Sequence, residues 1–465
     1  MEELKTYKSL NGPKALPFIG SAFDIDVPRL HQQIEGWERE FGGIFKLKLL
    51  GVKLIVISNP ELIQKILKLR PKEFQRASKM NRIIREQGIH GLFNAEQQDW
   101  EKHRSIITKG LDVKHQKQFF PELKEITTRL LKKWEKDAAE GNEVDIQQDF
   151  LRYTVDITTS IAFGIKMNTI EEEGGVIQDH LEKIFPMLFS RINKPIPFYK
   201  IIRSKKDKQF DHALREIHLF IDEIIQKGKK RIEENPHLKL EPGNVLEAIL
   251  VAAETMEGFG DEEVKGNLLT LLMAGEDTTA HTLAWSITEL VQNPSAIKAL
   301  QAEADEVLGE NQLFQEYEDH NRLKYTEAVA NETMRLKPVA PIVLNEPTEN
   351  IEVDGYLFEK GHRLVMQTRI GALKDEYFTD ASQFNPDRWI AASRCPMHNT
   401  DAFMPFGAGP RFCPGRNLAL LEMKMILSML FKNFNVEMIS NDGAIEEILA
   451  FTMLSTPYRV KLTKR

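Results

Sequence analysis

Cysteine is nearly absent: the chain has 465 residues and two cysteines. That scarcity argues against a disulfide framework and fits a reducing compartment, so a cytoplasmic protein is expected. Long apolar runs are missing too. The longest candidate, Leu268 to Val291, is broken by Glu276, Asp277, His281 and Glu289, and no segment reaches the roughly 18 uncharged apolar residues of a membrane span. The start, MEELKTYKSLNGPKALPFIG, lacks the apolar core of a signal peptide, so no integral membrane anchor is expected. Positive charge is not in excess; a net charge of −7 gives a nucleic-acid role no support. There is neither an internal repeat nor a low-complexity linker. With 42% apolar and 28% charged residues, the composition is that of a soluble globular protein.

Helical periodicity dominates what is present. Ile44 to Ser58, IFKLKLLGVKLIVIS, alternates and breaks near Gly51, which predicts a β-hairpin. Asn59-Pro60 then opens a helical pattern. From about Trp100 to Val291 amphipathic helices follow, among them ELKEITTRLLKKWEK, FDHALREIHLFIDEIIQKGKKR and GNVLEAILVAAETM. The basic run Lys227 to Arg231 reads as a solvated helix end. Strand signals return in IEVDGYLFEKGHRLVMQ and in the final TPYRVKLTKR. The expectation is a mainly α fold with a small β lobe assembled from distant parts of the chain, a single interlocked domain over residues 1–465.

One cysteine stands in a singular place. Cys413 lies in a glycine- and proline-rich loop directly before RNLALLEMKMILSMLF, which has no Gly or Pro and repeats apolar residues at helical spacing. Taken alone, a cysteine is most often a small buried apolar residue. Before a helix N-terminus, however, unpaired N–H groups and the dipole favour an anionic sulfur, and Arg411 adds a cation. Gly407, Gly409 and Gly415 would let backbone lie close against something flat or bulky. That setting suits an axial metal ligand better than a redox thiol. A zinc site from Cys395, His398 and Cys413 lacks a fourth ligand at the usual spacing, and a Cys395–Cys413 disulfide does not suit the cytosol.

A second anomaly is NLLTLLMAGEDTTAHTLAWSITELV, an apolar helix with Gly275, Glu276, Asp277, Thr278 and Thr279 in its middle. Unpartnered buried carboxylates cost several kcal/mol, so a purely structural helix should avoid them. Either the helix meets solvent for one turn, or it bulges beside a ligand. In the second case Gly275 leaves room, Thr278 hydrogen-bonds a bound species and Asp277 passes protons inward.

Phe406, Gly409, Arg411, Cys413 and Gly415 match position for position the haem-binding signature Phe-x-x-Gly-x-Arg-x-Cys-x-Gly, and the chain thereby resembles the cytochrome P450 family. Ala274 to Thr279 is similar to the oxygen-activation motif of that family. The resemblance runs from GPKALPFIG to the C-terminal strands and implies the cytochrome P450 fold, in a soluble, bacterial-type member without a fused reductase. It makes Cys413 the proximal thiolate ligand and metal donor of haem b. It sets Phe406 near the sulfur, with Gly409 and Gly415 in the same loop, and turns Arg411, Trp100 and Arg104 toward the haem propionates. It assigns Asp277 and Thr278 as an acid–alcohol pair. Glu332 and Arg335, with Arg388, become a buried ionic triad, in which Asp387 and Trp389 depart mildly from the family pattern. Asn345 stands where many members carry a propionate-binding arginine.

The implied activity is a haem-thiolate monooxygenase that inserts one atom of O₂ into a lipophile such as a fatty acid, terpenoid or steroid. Electrons would come from a separate ferredoxin or flavodoxin with its NAD(P)H reductase. A docking face is expected from Lys102, His103, Lys109, Lys114, Lys117 and Lys424. The pocket is expected from Leu92, Phe93, Leu272, Met273, Ala274, Ile342, Val343, Leu344 and Met453, and from the stretch Pro186 to Tyr199. Arg82 and Arg85 suit either a substrate carboxylate or an exposed helix face. The alternatives are a peroxide-driven hydroxylase or isomerase on the same haem, a non-catalytic haem sensor, and a haem-free helical scaffold.

Overall fold

The alternating stretch after Gly43 forms the expected hairpin, strands Ile44–Leu49 and Val52–Ile57, in register from Ile44↔Ile57 to Leu49↔Val52. Leu50 and Gly51 take positive φ, 48° and 83°, the two-residue turn whose twist matches that of its strands. The structure is a computed structural model and describes residues 4–14, 20, 25–171, 176–194, 197–391, 399–439 and 444–465. Val52–Ile57 pairs in parallel with Arg363–Gln367, which pairs antiparallel with Ile342–Pro347; Phe74–Arg76 closes that edge. Because Leu54 meets Arg363, this sheet ties the beginning of the chain to its last third. Among the described residues, no helix is long and apolar enough to cross a membrane.

Two helices organise the remainder. The central helix, Asp261–Gln292, starts with Asp261, Glu262 and Glu263, acidic residues that suit the positive end of the dipole. The Glu263 carboxylate accepts the Gly260 N–H at 2.8 Å. Alongside it runs the helix Ile146–Phe163, whose Thr154 hydroxyl donates to the Glu276 carbonyl at 2.9 Å. A Cβ added at Gly275 would come within 2.3 Å of Thr158 Oγ1. Gly275 therefore makes room for this neighbouring helix and not, as expected, for a ligand.

The cysteine helix, Arg416–Asn433, is apolar nearly all round and is buried from Leu421 to Phe431 in the largest hydrophobic cluster, with Trp134, Phe150 and Leu283. Glu422 is enclosed with them, and burial pushes its carboxyl up to about 8.

Behind the cysteine loop, Glu332 and Arg335 lie one turn apart on Lys324–Leu336 and are wholly buried. Arg335 donates to both Glu332 oxygens at 2.8 and 2.9 Å and to the carbonyls of Ala372 and Ala381 at 2.6 and 2.7 Å. Arg388 Nε reaches Glu332 at 2.9 Å, as does the indole N–H of Trp389. The departure at Trp389 is thus filled by an extra donor to the same carboxylate. Its ring meets Phe403, which leads into the cysteine loop, at 4.6 Å. Burial would raise the Glu332 carboxyl, but Arg335, the Asn385 N–H and Arg388 hold it below its ordinary 4.5.

Two buried carboxyls give opposite pH signatures. For Glu332 the folded value lies below 4.5, so its stabilisation is whole above that pH and is lost as pH falls through the folded value. Glu332→Gln should cost about 3–5 kcal/mol at neutral pH, with the gap narrowing in acid; a urea-unfolding series measures it. For Glu422 the folded value lies above 4.5, so stability declines as pH rises from 4.5 toward about 8. Glu422→Gln should lie within ~1 kcal/mol of the parent near about pH 5 and exceed it by ~3–5 kcal/mol near about pH 9. Equal denaturant midpoints at the higher pH would refute this.

Candidate active site

The cysteine loop is a turn folded on itself. The Cys413 N–H donates to the Phe406 carbonyl at 2.9 Å, and the Phe412 N–H donates to that of Gly409 at 3.2 Å. Gly409 has φ +67°, and a Cβ there would lie 2.4 Å from the Leu67 carbonyl oxygen. This glycine therefore admits the end of the helix Pro60–Lys68, not a flat ligand. Gly415 caps the cysteine helix, and a Cβ there would face Cys413 Sγ at 3.8 Å. The half-buried Phe406 ring has the Arg416 guanidinium 5.9 Å from its centre.

Cys413 is half-buried. Burial pushes its thiol up, against the pull of the Gly415 N–H, the Arg104 charge and the Arg416 N–H. The expected helix-terminal pull on the sulfur is present, but alone it does not outweigh burial. A metal cation would, since a coordinating thiol gives up its proton.

Beside the loop is a cluster of cations, of which the sequence motif announced Arg411 but not Arg70 or Arg76. Arg411 pairs with Glu96, donates to the carbonyls of Leu92 and Phe93 at 3.2 Å each, and lies 5.4 Å from the centre of the buried Trp100 ring. Arg70, also buried, is 3.5 Å from the same Glu96 carboxylate. Arg76 donates its backbone N–H to Glu96 at 2.9 Å and its Nε to the Phe93 carbonyl at 3.1 Å. Two guanidiniums and one backbone N–H thus share one carboxylate, with the Arg76 guanidinium turned to the Phe93 carbonyl beside them. Burial first, and then the Arg70 charge, brings Arg411 down to about 10, and the same two causes with Arg411 itself lower Arg76 further.

The cluster also has unused polar atoms. Arg70 Nε and Nη2 have no hydrogen-bond acceptor among the described residues, and fully buried Asn345, which pairs with Arg76 in the sheet, leaves both side-chain polar atoms unpartnered there. Surplus buried cations and idle donors fit a group carrying acidic substituents, as haem does with its two propionates. Arg104 turns elsewhere: it donates to the Phe412 carbonyl at 2.7 Å and stacks on the Phe412 ring at 4.5 Å.

The central helix presents one open strip here. Ala274 is exposed and Thr270 and Thr278 are half-buried, one turn apart on the same face, while Leu272, Met273, Glu276 and Thr279 are buried. The expected bulge is not found: residues 261–292 are α-helical without a break, and the Thr278 hydroxyl donates back to the Ala274 carbonyl at 2.9 Å. Asp277 receives the Thr452 hydroxyl on one oxygen and has His281 Nε2 at 3.2 Å from the other. Glu276 points away from both, buried, with Gln178 donating to it at 2.7 Å; burial and then the Asp277 charge hold its carboxyl well above the ordinary range.

Leu92, Leu272 and Met273 are buried in one cluster, against which Phe93 and Leu344 pack. Ile342 shares the Leu344 strand face, while Val343 packs on the opposite side of the sheet with Ile55 and Phe74. Met453 is fully buried against Trp285 and Leu449, in a cluster on which Ile342 and Phe189 also pack. Phe451, two residues earlier, joins the expected residues, with ring centres 6.1 Å from Phe93 and 4.8 Å from Phe185, the residue just before the expected stretch. Arg82 and Arg85 lie exposed along a cleft with Arg76 and His90.

Of the expected docking residues, Lys109, Lys114 and Lys117 are exposed, the last two paired with Glu241 and Glu318, and Lys102 donates to the Glu257 carbonyl at 3.2 Å. His103 and Lys424 are buried, held by Asn267 and by Glu327, and offer no docking surface. Cys395 and His398 lie outside the described residues.

The chain is similar to known proteins over most of its length. The chain is 26% identical over 441 residues to the protein LUTEIN DEFICIENT 5, chloroplastic, of Arabidopsis thaliana, covering 91% of this chain and 72% of that one. It is 24% identical over 433 residues to tabersonine 16-hydroxylase 1 of Catharanthus roseus, covering 91% and 85%. It is 27% identical over 449 residues to the bifunctional cytochrome P450/NADPH–P450 reductase 2 of Bacillus subtilis, covering 95% of this chain but 41% of that longer protein. The family model described as Cytochrome P450 matches residues 10–462. A sulfur at a helix cap, a surplus of buried cations beside it and this match together make the chain a member of the cytochrome P450 family.

Proposed function

We propose that the protein is a haem-thiolate monooxygenase acting on an apolar substrate, with haem b held by the sulfur of Cys413. The observation that carries the reading is the half-buried Cys413 sulfur beside a cluster of three arginines, of which Arg70 and Arg411 pair with the single carboxylate of Glu96 and Arg76 gives it a backbone N–H. When bound, haem supplies the activation of O₂ and the transfer of one oxygen atom. Cys413 would ligate the iron. Arg70, Arg76, Arg411 and Asn345 would take the acidic substituents, with Trp100 packed beneath Arg411. Thr278 and Ala274 would face the reacting centre, and Asp277 would deliver protons through the Thr278 hydroxyl.

Phe93, Phe185, Phe451 and Leu344 support an apolar substrate and would exclude water around it. Their lining suits a fatty acid, terpenoid, steroid or similar lipophile. We propose that electrons arrive from a separate ferredoxin or flavodoxin served by an NAD(P)H reductase. Its docking face would draw on Phe412, 46% exposed beside Cys413, and on the exposed Lys109, Lys114 and Lys117. A cytoplasmic site of action fits the scarcity of cysteine.

Cys413→Ala should abolish the red-shifted Soret band of the reduced carbon-monoxide complex, and a variant that keeps the band would move the ligand elsewhere. Thr278→Ala should retain haem but lower product formed per NAD(P)H consumed by ~10-fold or more, with the difference appearing as peroxide. Unchanged coupling, or full turnover on peroxide alone, would overturn the proposed proton delivery.

A further inference from the structure

The hairpin of Glu447–Ala450 and Thr452–Ser455 is clamped at its base and joined to the central helix at its tip. At the base, Glu447 takes His31 Nε2 at 2.9 Å, Arg369 through both terminal nitrogens at 2.8 and 2.9 Å, and Lys337 at 2.6 Å. On the returning strand, the Met453 carbonyl accepts the Trp285 indole N–H at 3.1 Å and the Met453 N–H donates to the Val339 carbonyl at 2.8 Å. The tip is different. Ala450 pairs with Thr452, so Phe451 alone makes the bend, at φ +91°, a backbone region that favours glycine. Its ring is held between Phe93 and Phe185, and the very next side chain, Thr452, donates to Asp277.

We infer that Thr452 is a positioning residue for Asp277, and that it carries the position of the Phe451 ring to that carboxylate. A bulky lipophile entering beside Phe93 displaces the Phe451 ring. With the base fixed by Glu447 and the returning strand fixed at Met453, the displacement is taken up at residues 451 and 452. The Thr452–Asp277 hydrogen bond breaks, and the carboxylate, kept by His281 alone among the described residues, is free to turn. Substrate occupancy thereby releases the acid, which rests on the reading of Asp277 as the group that delivers protons. By linkage, whatever breaks this bond binds more weakly for having to break it.

The test uses the haem-loaded full chain and two ligands read by Soret shift: clotrimazole, a bulky azole that must displace the ring, and imidazole, which is small enough not to. Thr452→Val should bind clotrimazole about fivefold more tightly, the factor one side-chain hydrogen bond is worth, and imidazole with unchanged affinity. Thr452→Ser, which keeps the hydroxyl, should bind both as the parent does. In a Phe451→Ala background, Thr452→Val should change neither affinity. Clotrimazole bound no more tightly by Thr452→Val, or equal tightening with Phe451 removed, would overturn the inference while leaving the monooxygenase reading intact. Asp277→Asn tests the reading beneath it: if product formed per NAD(P)H is unchanged, Asp277 delivers no protons and the release has no catalytic meaning.

Discussion

Enclosing a thiol in protein favours its proton, and at Cys413 burial outweighs the two backbone N–H groups and the Arg104 charge that oppose it. The sulfur is therefore poised for a cation, and the loop that carries it must be rigid enough to present it. Much of the surrounding structure serves that rigidity. The Phe406 carbonyl holds the Cys413 N–H, Gly409 lets the loop press on the end of the helix Pro60–Lys68, and Gly415 starts the cysteine helix. Behind them Glu332 collects two arginines, an indole and a backbone amide, so that the segment leading to Phe403 is fixed by charge and by ring contact together.

The opposite charge problem is found a short way off. Arg70 and Arg411 crowd one glutamate, with the Arg76 guanidinium close by and its pKa lowered by burial and then by both of them, an arrangement that no isolated protein core has reason to build. It becomes sensible once a ligand brings its own negative charge. The site thus has two electrostatic halves, a sulfur awaiting a cation and guanidiniums awaiting anions, and a metalloporphyrin with acidic side chains answers both at once.

Much of this was legible in the sequence because periodicity and local motifs report local structure. The hairpin at Ile44 to Ile57, the long helices and the cap before Arg416 all follow from neighbours within a few residues. What escaped depends on partners far away in the chain. Gly275 and Gly409 read as space for a ligand, but Thr158 and Leu67 occupy that space. His103 and Lys424 read as surface charge, yet Asn267 and Glu327 draw them inside. The arginines at 70 and 76 carry no signature of their own; they acquire meaning only where three segments converge on Glu96. Met453 read as a pocket residue, and the one-residue bend before it is what turns the Phe451 ring toward Phe93 and Phe185 while Met453 packs on Trp285 and Leu449. The helix through Asp277 bears its polar residues without bulging because Thr278 bonds back to Ala274, and Thr452, His281 and Gln178 satisfy the acids.

The parallel pairing of Leu54 with Arg363 also sets a timetable for biosynthesis. At ~5–20 residues per second, the early hairpin emerges from the ribosome on the order of tens of seconds before the strand it needs. Until then the free edge of Val52–Ile57 has unpaired backbone groups, and Lys53 on it, with Lys46 and Lys48 on the strand beside it, gives the hairpin the charge that discourages pairing with other nascent chains.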